Sequence, residues 1–266
     1  MDFAYFGLKS IPFSKEIKSE NFYKSYDQKE ALARLNYIKQ YRGIFLLTGE
    51  PGGGKTSILR QFVSGLNPQS HECCYTPHAT VSRSEVYKQI SSLLNLDTRG
   101  SKSKLFKKIQ DGIWEKYRHQ GVTPCIILDE SHLMDQATMQ ELILLTNFEM
   151  DSKLPFILIL AGQPTLKDYL RRRNLEALNQ RITLRYHVGG LSLKETKEYV
   201  LHHLKLSGRD ETDPLFDENC FEMIHQLGLG LPRKVGSVCI NAMTYAQIKG
   251  LEVITTEIIH KAGIEL

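Results

Sequence analysis

The segment Gly49-Glu50-Pro51-Gly52-Gly53-Gly54-Lys55-Thr56 limits what this chain can fold into more than any other feature. It has the form G-x-x-x-x-G-K-[ST], and its flanks read as a buried strand, Ile44–Thr48, and a helix from about Lys55 to Leu66. In that setting glycines let backbone N–H groups curl around phosphate oxygens, and the helix N-terminus adds partial positive charge. Lys55 is expected to reach the β- and γ-phosphates of ATP, and the Thr56 hydroxyl to ligate Mg²⁺. Gly49, Glu50, Pro51, Gly52, Gly53, Gly54, Lys55, Thr56 and Ser57 are therefore candidate nucleotide-binding positions.

A strand–loop–helix of this kind needs a sheet around it, and the rest of the chain supplies one. Further strands are expected at about Cys73–Thr80, Cys125–Asp129, Phe156–Ala161 and Thr183–His187. Helices are expected at Gln28–Tyr41, Arg83–Leu94, Ser103–His119 and Asp135–Asp151. Near-continuous apolar strands alternating with helices argue for a parallel sheet covered on both faces. From Ser192 the pattern turns wholly helical, over 193–207, 217–227, 232–249 and 255–262. The expected architecture is α/β: a P-loop core with a five-stranded parallel sheet over 1–190, then a small all-helical lid over 191–266.

Composition enters as exclusion. Crossing a bilayer takes roughly 20 apolar residues, and the apolar runs here, such as Ile44-Phe45-Leu46-Leu47, are short. The start, Met1-Asp2-Phe3-Ala4-Tyr5, has no basic region followed by an apolar stretch. A cytoplasmic protein with no membrane contact is the expectation. Five cysteines without a C-x-x-C pair read as buried free thiols, and none of the nine histidines has zinc-ligand spacing.

The second chemical signal is Cys125-Ile-Ile-Leu-Asp129-Glu130, a strand ending in two acids. Asp129 can hold the Mg²⁺ shell, and Glu130 is placed to orient or deprotonate the attacking water. The run Asp129-Glu-Ser-His132 has the look of a helicase box, but 266 residues ending in helices leave no room for a second lobe. Three later residues could complete a hydrolase site. Gln163 follows a strand and could sense the γ-phosphate. Arg181, before the last strand, could reach a neighbouring subunit's nucleotide. Arg233, at the start of a late helix, could fold down on the phosphates.

Charge is uneven. Between Arg83 and Arg118 nine basic residues face four acidic ones, a local excess of +5 in a chain of net +4. Such a run is either the solvated face of a helix or a phosphate-contacting surface. The Arg99-Gly-Ser-Lys-Ser-Lys104 stretch reads as a loop that gives its cations flexible reach.

In this order the motifs resemble the AAA+ ATPases, where these positions are termed Walker A, Walker B, sensor 1, arginine finger and sensor 2. The likeness looks closest to the ExeA/TniB-like group, through Phe6-Gly-Leu-Lys-Ser-Ile-Pro12-Phe13, Leu46-Leu-Thr-Gly49-Glu50, Leu160-Ala-Gly-Gln163-Pro164 and Gly230-Leu-Pro-Arg233. The resemblance implies that Ile11, Pro12 and Phe13 lie near the adenine. ExeA-like secretion ATPases carry a transmembrane helix and a peptidoglycan-binding region after the ATPase module, and the sequence reaches Leu266 with neither. The resemblance is therefore carried to transposition helpers similar to IstB, TniB and TnsC. It implies ATP-dependent self-association into a ring or helical filament on duplex DNA and recruitment of a transposase. The group's DNA contacts follow the second strand, which makes Arg83, Arg99, Lys102 and Lys104 the candidate DNA-binding residues. A secretion- or signalling-type assembly ATPase that never touches DNA is the alternative.

Overall fold

The computed structural model describes residues 2–77, 83–210 and 213–263. The chain divides into two compact units. One comprises Glu30–Gly49 and Ile58–Val188, the other Met1–Lys29, Glu50–Ser57 and Gly189–Leu266.

The first unit is built on five strands: β1 (Gly43–Gly49), β2 (His71–Thr76), β3 (Thr123–Leu128), β4 (Ile157–Gly162) and β5 (Ile182–Val188). They form one sheet in the order β2-β3-β4-β1-β5, and every pairing is parallel. Helices α1 (Tyr26–Tyr41), α2 (Lys55–Ser64), α3 (Arg83–Leu93), α4 (Lys102–Arg118), α5 (Gln136–Leu145), α6 (Thr165–Leu170) and α7 (Glu176–Arg181) punctuate the strands. Because side chains alternate along a strand, each sheet face feeds its own core. Ile44, Leu46, Leu158 and Leu160 join Tyr87, Ile109 and Ile113 on one side. Phe45, Leu47, Ile127 and Ile159 join Leu35, Ile38, Ile58 and Phe62 on the other. β1 and β4 are buried throughout, whereas only the two ends of β5 are buried, as an edge strand requires. A parallel sheet puts all carboxyl ends on one edge, so the ends of β1, β3 and β4 open toward the same side.

Two expectations about helices change. The Arg99–Lys104 stretch is not a free loop: Ser101 caps α4, its hydroxyl accepting from the Lys104 N–H, and Lys102 already lies in the first turn. The helix expected to run to Asp151 stops at Leu145. Its carbonyls are met by the Thr146 N–H, and Glu149, Met150 and Asp151 all take positive φ (46°, 55° and 67°), which a right-handed helix cannot contain. In β2 the described strand ends at Thr76; residues 78–82 lie outside the described part, and so does the Arg83 side chain.

The second unit packs α8 (Leu193–Leu206), α9 (Cys220–Gly228), α10 (Pro232–Ile248) and α11 (Thr256–Gly263) around Val200, Ile224, Val235, Cys239 and Ile259. Ser192 and Glu195 form a reciprocal capping box at the start of α8. Phe6 and Leu8 are buried in this same core, so the N-terminal segment, expected with the α/β part, packs with the late helices. Its aromatic side chains find the apolar surface they need there. The Asp27 carboxylate accepts from the Gly189 and Gly190 N–H groups (2.7 and 3.1 Å), fixing the chain where the helical part begins.

Four cysteines are buried and free. Cys73 is exposed, contrary to the expectation for all five. Among the described residues no helix is long and apolar enough to cross a membrane.

Candidate functional site

The phosphate-loop residues take the shape their spacing predicts. Gly52 and Gly54 sit at φ +81° and +103°, angles that favour glycine. A Cβ on Gly54 would meet nothing within 4 Å, so the backbone angle, not space, demands glycine there. The Gly53 N–H donates to the Glu50 carbonyl (3.0 Å), closing the turn. Lys55 is buried, and its ammonium bends back to the same carbonyl at 3.1 Å. A cation folded into the loop beside backbone N–H groups fits a polyphosphate. Thr56 and Ser57 follow in the first turn of α2. Arg233 belongs to the same compact unit. Its N–H donates to the Gly52 carbonyl (3.3 Å), and a Cβ on Gly52 would come 2.8 Å from the Arg233 Cβ. The Leu191 N–H donates to Gly230 (2.7 Å), anchoring the segment that carries Arg233.

The acids lie where β3 ends. Asp129 is 4% exposed; its Oδ1 accepts from the Glu130 N–H (2.9 Å) and its Oδ2 from the Tyr75 hydroxyl (3.1 Å). Burial, and then the negative charge of Asp129, push Tyr75 up to about 12, so it remains a neutral donor. Glu130 takes φ 52° and ψ 32°, a left-handed conformation that costs a non-glycine residue of order 1–2 kcal/mol. Strain of that size at the end of a central strand commonly accompanies function. The Ser131 hydroxyl donates to the Leu128 carbonyl (2.7 Å), holding the turn. Gln163 follows β4, the next strand, and its N–H donates to His132 Nδ1 (3.4 Å), which also lies 3.4 Å from Glu130 Oε2. The structure thus brings Asp129, Glu130 and Gln163 together, with two residues that were not among the candidates. Tyr75 carries no sequence signal without the knowledge that β2 pairs with β3. His132 was visible only inside the rejected helicase box.

Among the described residues no group of three or more His, Cys, Asp or Glu side chains is arranged for a metal. The carboxylate of Asp129 and the hydroxyl of Thr56 are each oxygen donors, the type that a small hard cation takes together with phosphate and water.

Arg181 is engaged within its own chain. Its guanidinium donates to the Ile143 carbonyl (2.8 Å) and the Thr146 hydroxyl (2.7 Å) and pairs with Asp151 (2.8 Å). It closes the C-terminal end of α5, where a cation meets unsatisfied carbonyls. Of the residues expected near adenine, Pro12 is buried and Ile11 is 58% exposed. Phe13 packs against Tyr199 and His203, with ring centroids 6.0 and 5.0 Å apart. Burial there, with His202 adjacent, pulls His203 down to about 4.

The basic segment is largely neutralised. Lys102 pairs with Glu141 (2.5 Å), whose other oxygen accepts from the Tyr87 hydroxyl (2.6 Å). Lys116 pairs with Glu72 (2.7 Å), and Arg118 with Glu149 while stacking on Trp114. All three acids come from outside the segment, and Glu149 is shared with Lys153 (2.9 Å), so between two and three of the five excess charges are met. Lys108 is held by Asp97 and the Arg99 carbonyl. Arg99 and Lys104 remain exposed.

Comparison with known proteins agrees with this geometry. The family described as "AAA domain" matches residues 38–170. The chain is 32% identical over 249 residues to general secretion pathway protein A of Aeromonas hydrophila, covering 92% of this chain and 45% of that relative. It therefore spans about half the length of the curated protein it matches. Among solved structures, Cdc6p of Pyrobaculum aerophilum superposes with a TM-score of 0.67 at 16% identity, covering 100% of this chain and 71% of that one. The RuvB Holliday junction branch migration motor of Thermotoga maritima gives 0.59 at 19% identity, covering 97% and 72%. At these identities the two structures attest the fold: an α/β P-loop core with a five-stranded parallel sheet.

Proposed function

From the premise that this chain belongs to the AAA domain family, and so to the AAA+ ATPases, we propose that it is an ATP-hydrolysing assembly switch working through the residues described above. The observation that carries the reading is the glycine-rich turn leaving β1 with Lys55 folded into it. Gly49 to Ser57 hold the phosphates. Arg233, on the same compact unit, supplies a further cation, and Ile11, Pro12 and Phe13 contact the adenine. Thr56 and Asp129 would hold Mg²⁺, which when bound neutralises charge on the β- and γ-phosphates. Glu130 accepts a proton from the attacking water, and Gln163 contacts the γ-phosphate. Asp129 is kept oriented by two donors, the Glu130 N–H and the Tyr75 hydroxyl.

As to partner, the identity to a general secretion pathway protein and the neutralised basic segment favour a secretion-type assembly ATPase that self-associates with ATP bound. A second reading, assembly on duplex DNA to recruit a transposase, is favoured by the exposed Arg99 and Lys104, with Arg83 close by in sequence. Phosphate contacts of this kind are sequence-tolerant and salt-dependent. The test is DNA binding by the purified protein with ATP, with ADP and without nucleotide, across a salt series, alongside phosphate release. ATP-dependent binding that falls steeply with salt supports the DNA reading. Hydrolysis with no DNA binding in any nucleotide state supports the secretion-type reading, and no ATP binding at all overturns both.

A further inference from the structure

His132 is placed to do more than fill space. Its side chain is 10% exposed, and Nδ1 faces two groups with opposite demands. The Gln163 N–H, at 3.4 Å, needs Nδ1 to present a lone pair. Glu130 Oε2, also at 3.4 Å, is an acceptor and is satisfied only if Nδ1 carries a proton. One nitrogen cannot serve both at once. With the proton on Nε2, the ring holds the end of β4 and leaves the Glu130 carboxylate unengaged by His132. With the proton on Nδ1, the ring holds Glu130 and releases the Gln163 N–H.

A second observation shows that this contact is built in. A Cβ on Gly162, the last residue of β4, would lie 3.1 Å from the His132 backbone nitrogen and 3.2 Å from its Nδ1. Glycine at this position needs no unusual backbone angle; what it provides is room for the histidine to lie against the strand end. The adjoining Glu130 is held in the left-handed region, so its carboxylate position depends on the turn that His132 continues.

We propose that His132 is a positioning residue that couples the γ-phosphate-facing end of β4 to the catalytic Glu130 by offering Nδ1 to one or the other. The inference rests on Glu130 acting as the base. In that step a water oxygen attacks the γ-phosphorus, the bond to the β-γ bridging oxygen breaks, ADP leaves, and the water proton passes to Glu130. His132 touches none of the reacting atoms. It decides whether the carboxylate is free to take the proton and whether Gln163 stays in register with it.

The test compares His132→Asn with His132→Leu in the full chain, measuring kcat, KM for ATP, direct nucleotide affinity and thermal stability. Asparagine keeps an acceptor near the Nδ1 position, whereas leucine keeps packing volume without one. The expected result is a kcat loss on the order of a hundredfold for leucine, as misplacement of a catalytic group gives, with nucleotide affinity unchanged and most of the activity retained by asparagine. If leucine stays as active as the wild type, the ring is packing only; if asparagine loses as much as leucine, an acceptor near the Nδ1 position does not restore the function; either result overturns the proposal. If the wild-type protein binds ATP but does not hydrolyse it, the base role of Glu130 fails instead. The ring is then read by ¹⁵N chemical shifts without nucleotide, with ATP and with ADP, where an Nδ1 proton present in one state and absent in another supports the exchange and an Nδ1 unchanged in all three overturns it.

Discussion

Lys102→Ala is expected to destabilise the protein, because the ammonium is a charged partner of a nearly buried carboxylate. The Glu141 side chain is 7% exposed and Lys102 45%. Glu141 Oε1 takes the Lys102 ammonium at 2.5 Å and Oε2 takes the hydroxyl of wholly buried Tyr87 at 2.6 Å. Removing one partner of a fully buried pair costs about 3–5 kcal/mol, and of an exposed pair about 0–1 kcal/mol. Water reaches the lysine end but hardly the glutamate, so the cost falls between these limits, at about 1–2 kcal/mol. For a chain of this size each kcal/mol lowers Tm by roughly 2–4 °C, which gives a drop of roughly 2–8 °C. Thermal unfolding followed by circular dichroism measures it, with Lys104→Ala as the exposed control, expected within about 0.5 kcal/mol of wild type. Equal melting of the two variants would refute the argument and return Lys102 to the pool of cations available to a partner. A DNA-binding test that mutates Lys102 together with Lys104 would otherwise mix unfolding with lost contacts, so Arg99→Ala with Lys104→Ala is the cleaner pair.

Glu130→Gln should cut hydrolysis by about 10²–10⁴-fold while ATP still binds, which phosphate release and nucleotide titration check; an unchanged rate would remove Glu130 as the base. Arg181→Ala should cost about 1–3 kcal/mol by leaving the Ile143 carbonyl and the Thr146 hydroxyl without this donor. Unchanged melting together with lost hydrolysis would instead give Arg181 the role in trans suggested by its sequence position. His203, pulled down to about 4 from an unfolded value of 6.5, favours the folded state in its neutral form. Its contribution is complete above pH 6.5 and is lost as pH falls toward 4, by up to about 3 kcal/mol. His203→Leu should flatten the stability–pH curve over that window, and an identical curve would show that other groups set it.

The legible parts of this molecule are those whose chemistry lies in consecutive residues. Gly49 to Thr56 declare themselves because a phosphate loop needs its glycines and its lysine at fixed spacing. Asp129 and Glu130 do so because they end an apolar run. The buried strands followed from the same apolar runs; that β5 is the exposed edge strand came only with the sheet order. What stayed hidden depends on residues far apart in sequence. Lys102 and Glu141 are 39 positions apart and Arg118 and Glu149 are 31 apart, so a local charge count could not see that these cations were taken. Tyr75 reaches Asp129 only because β2 pairs with β3. The early stop of α5 comes from three successive left-handed residues, none of them glycine, and nothing in Glu149-Met150-Asp151 announces that.

Neutralisation of the basic segment also fixes how any DNA binding must work. Each phosphate neutralised on duplex DNA contributes about −0.9 to the slope of log affinity against log salt. Had all four candidates, Arg83, Arg99, Lys102 and Lys104, been available, one subunit would show a slope of about −3.6. With Lys102 committed to Glu141, the other three leave about −2.7 per subunit. A slope that shallow is too little for a single subunit to hold DNA at moderate salt, so useful affinity would have to come from several subunits binding together. The slope measured with ATP should then be a multiple of about −2.7 and should collapse toward that value when assembly is blocked. Under Arg99→Ala with Lys104→Ala it should fall to about −0.9 per subunit, the share of Arg83, at unchanged Tm. A slope that stays steep in this double variant would place the contacts elsewhere on the chain. A slope near zero in the wild-type protein with ATP bound would remove DNA as the scaffold and leave self-association to a protein partner.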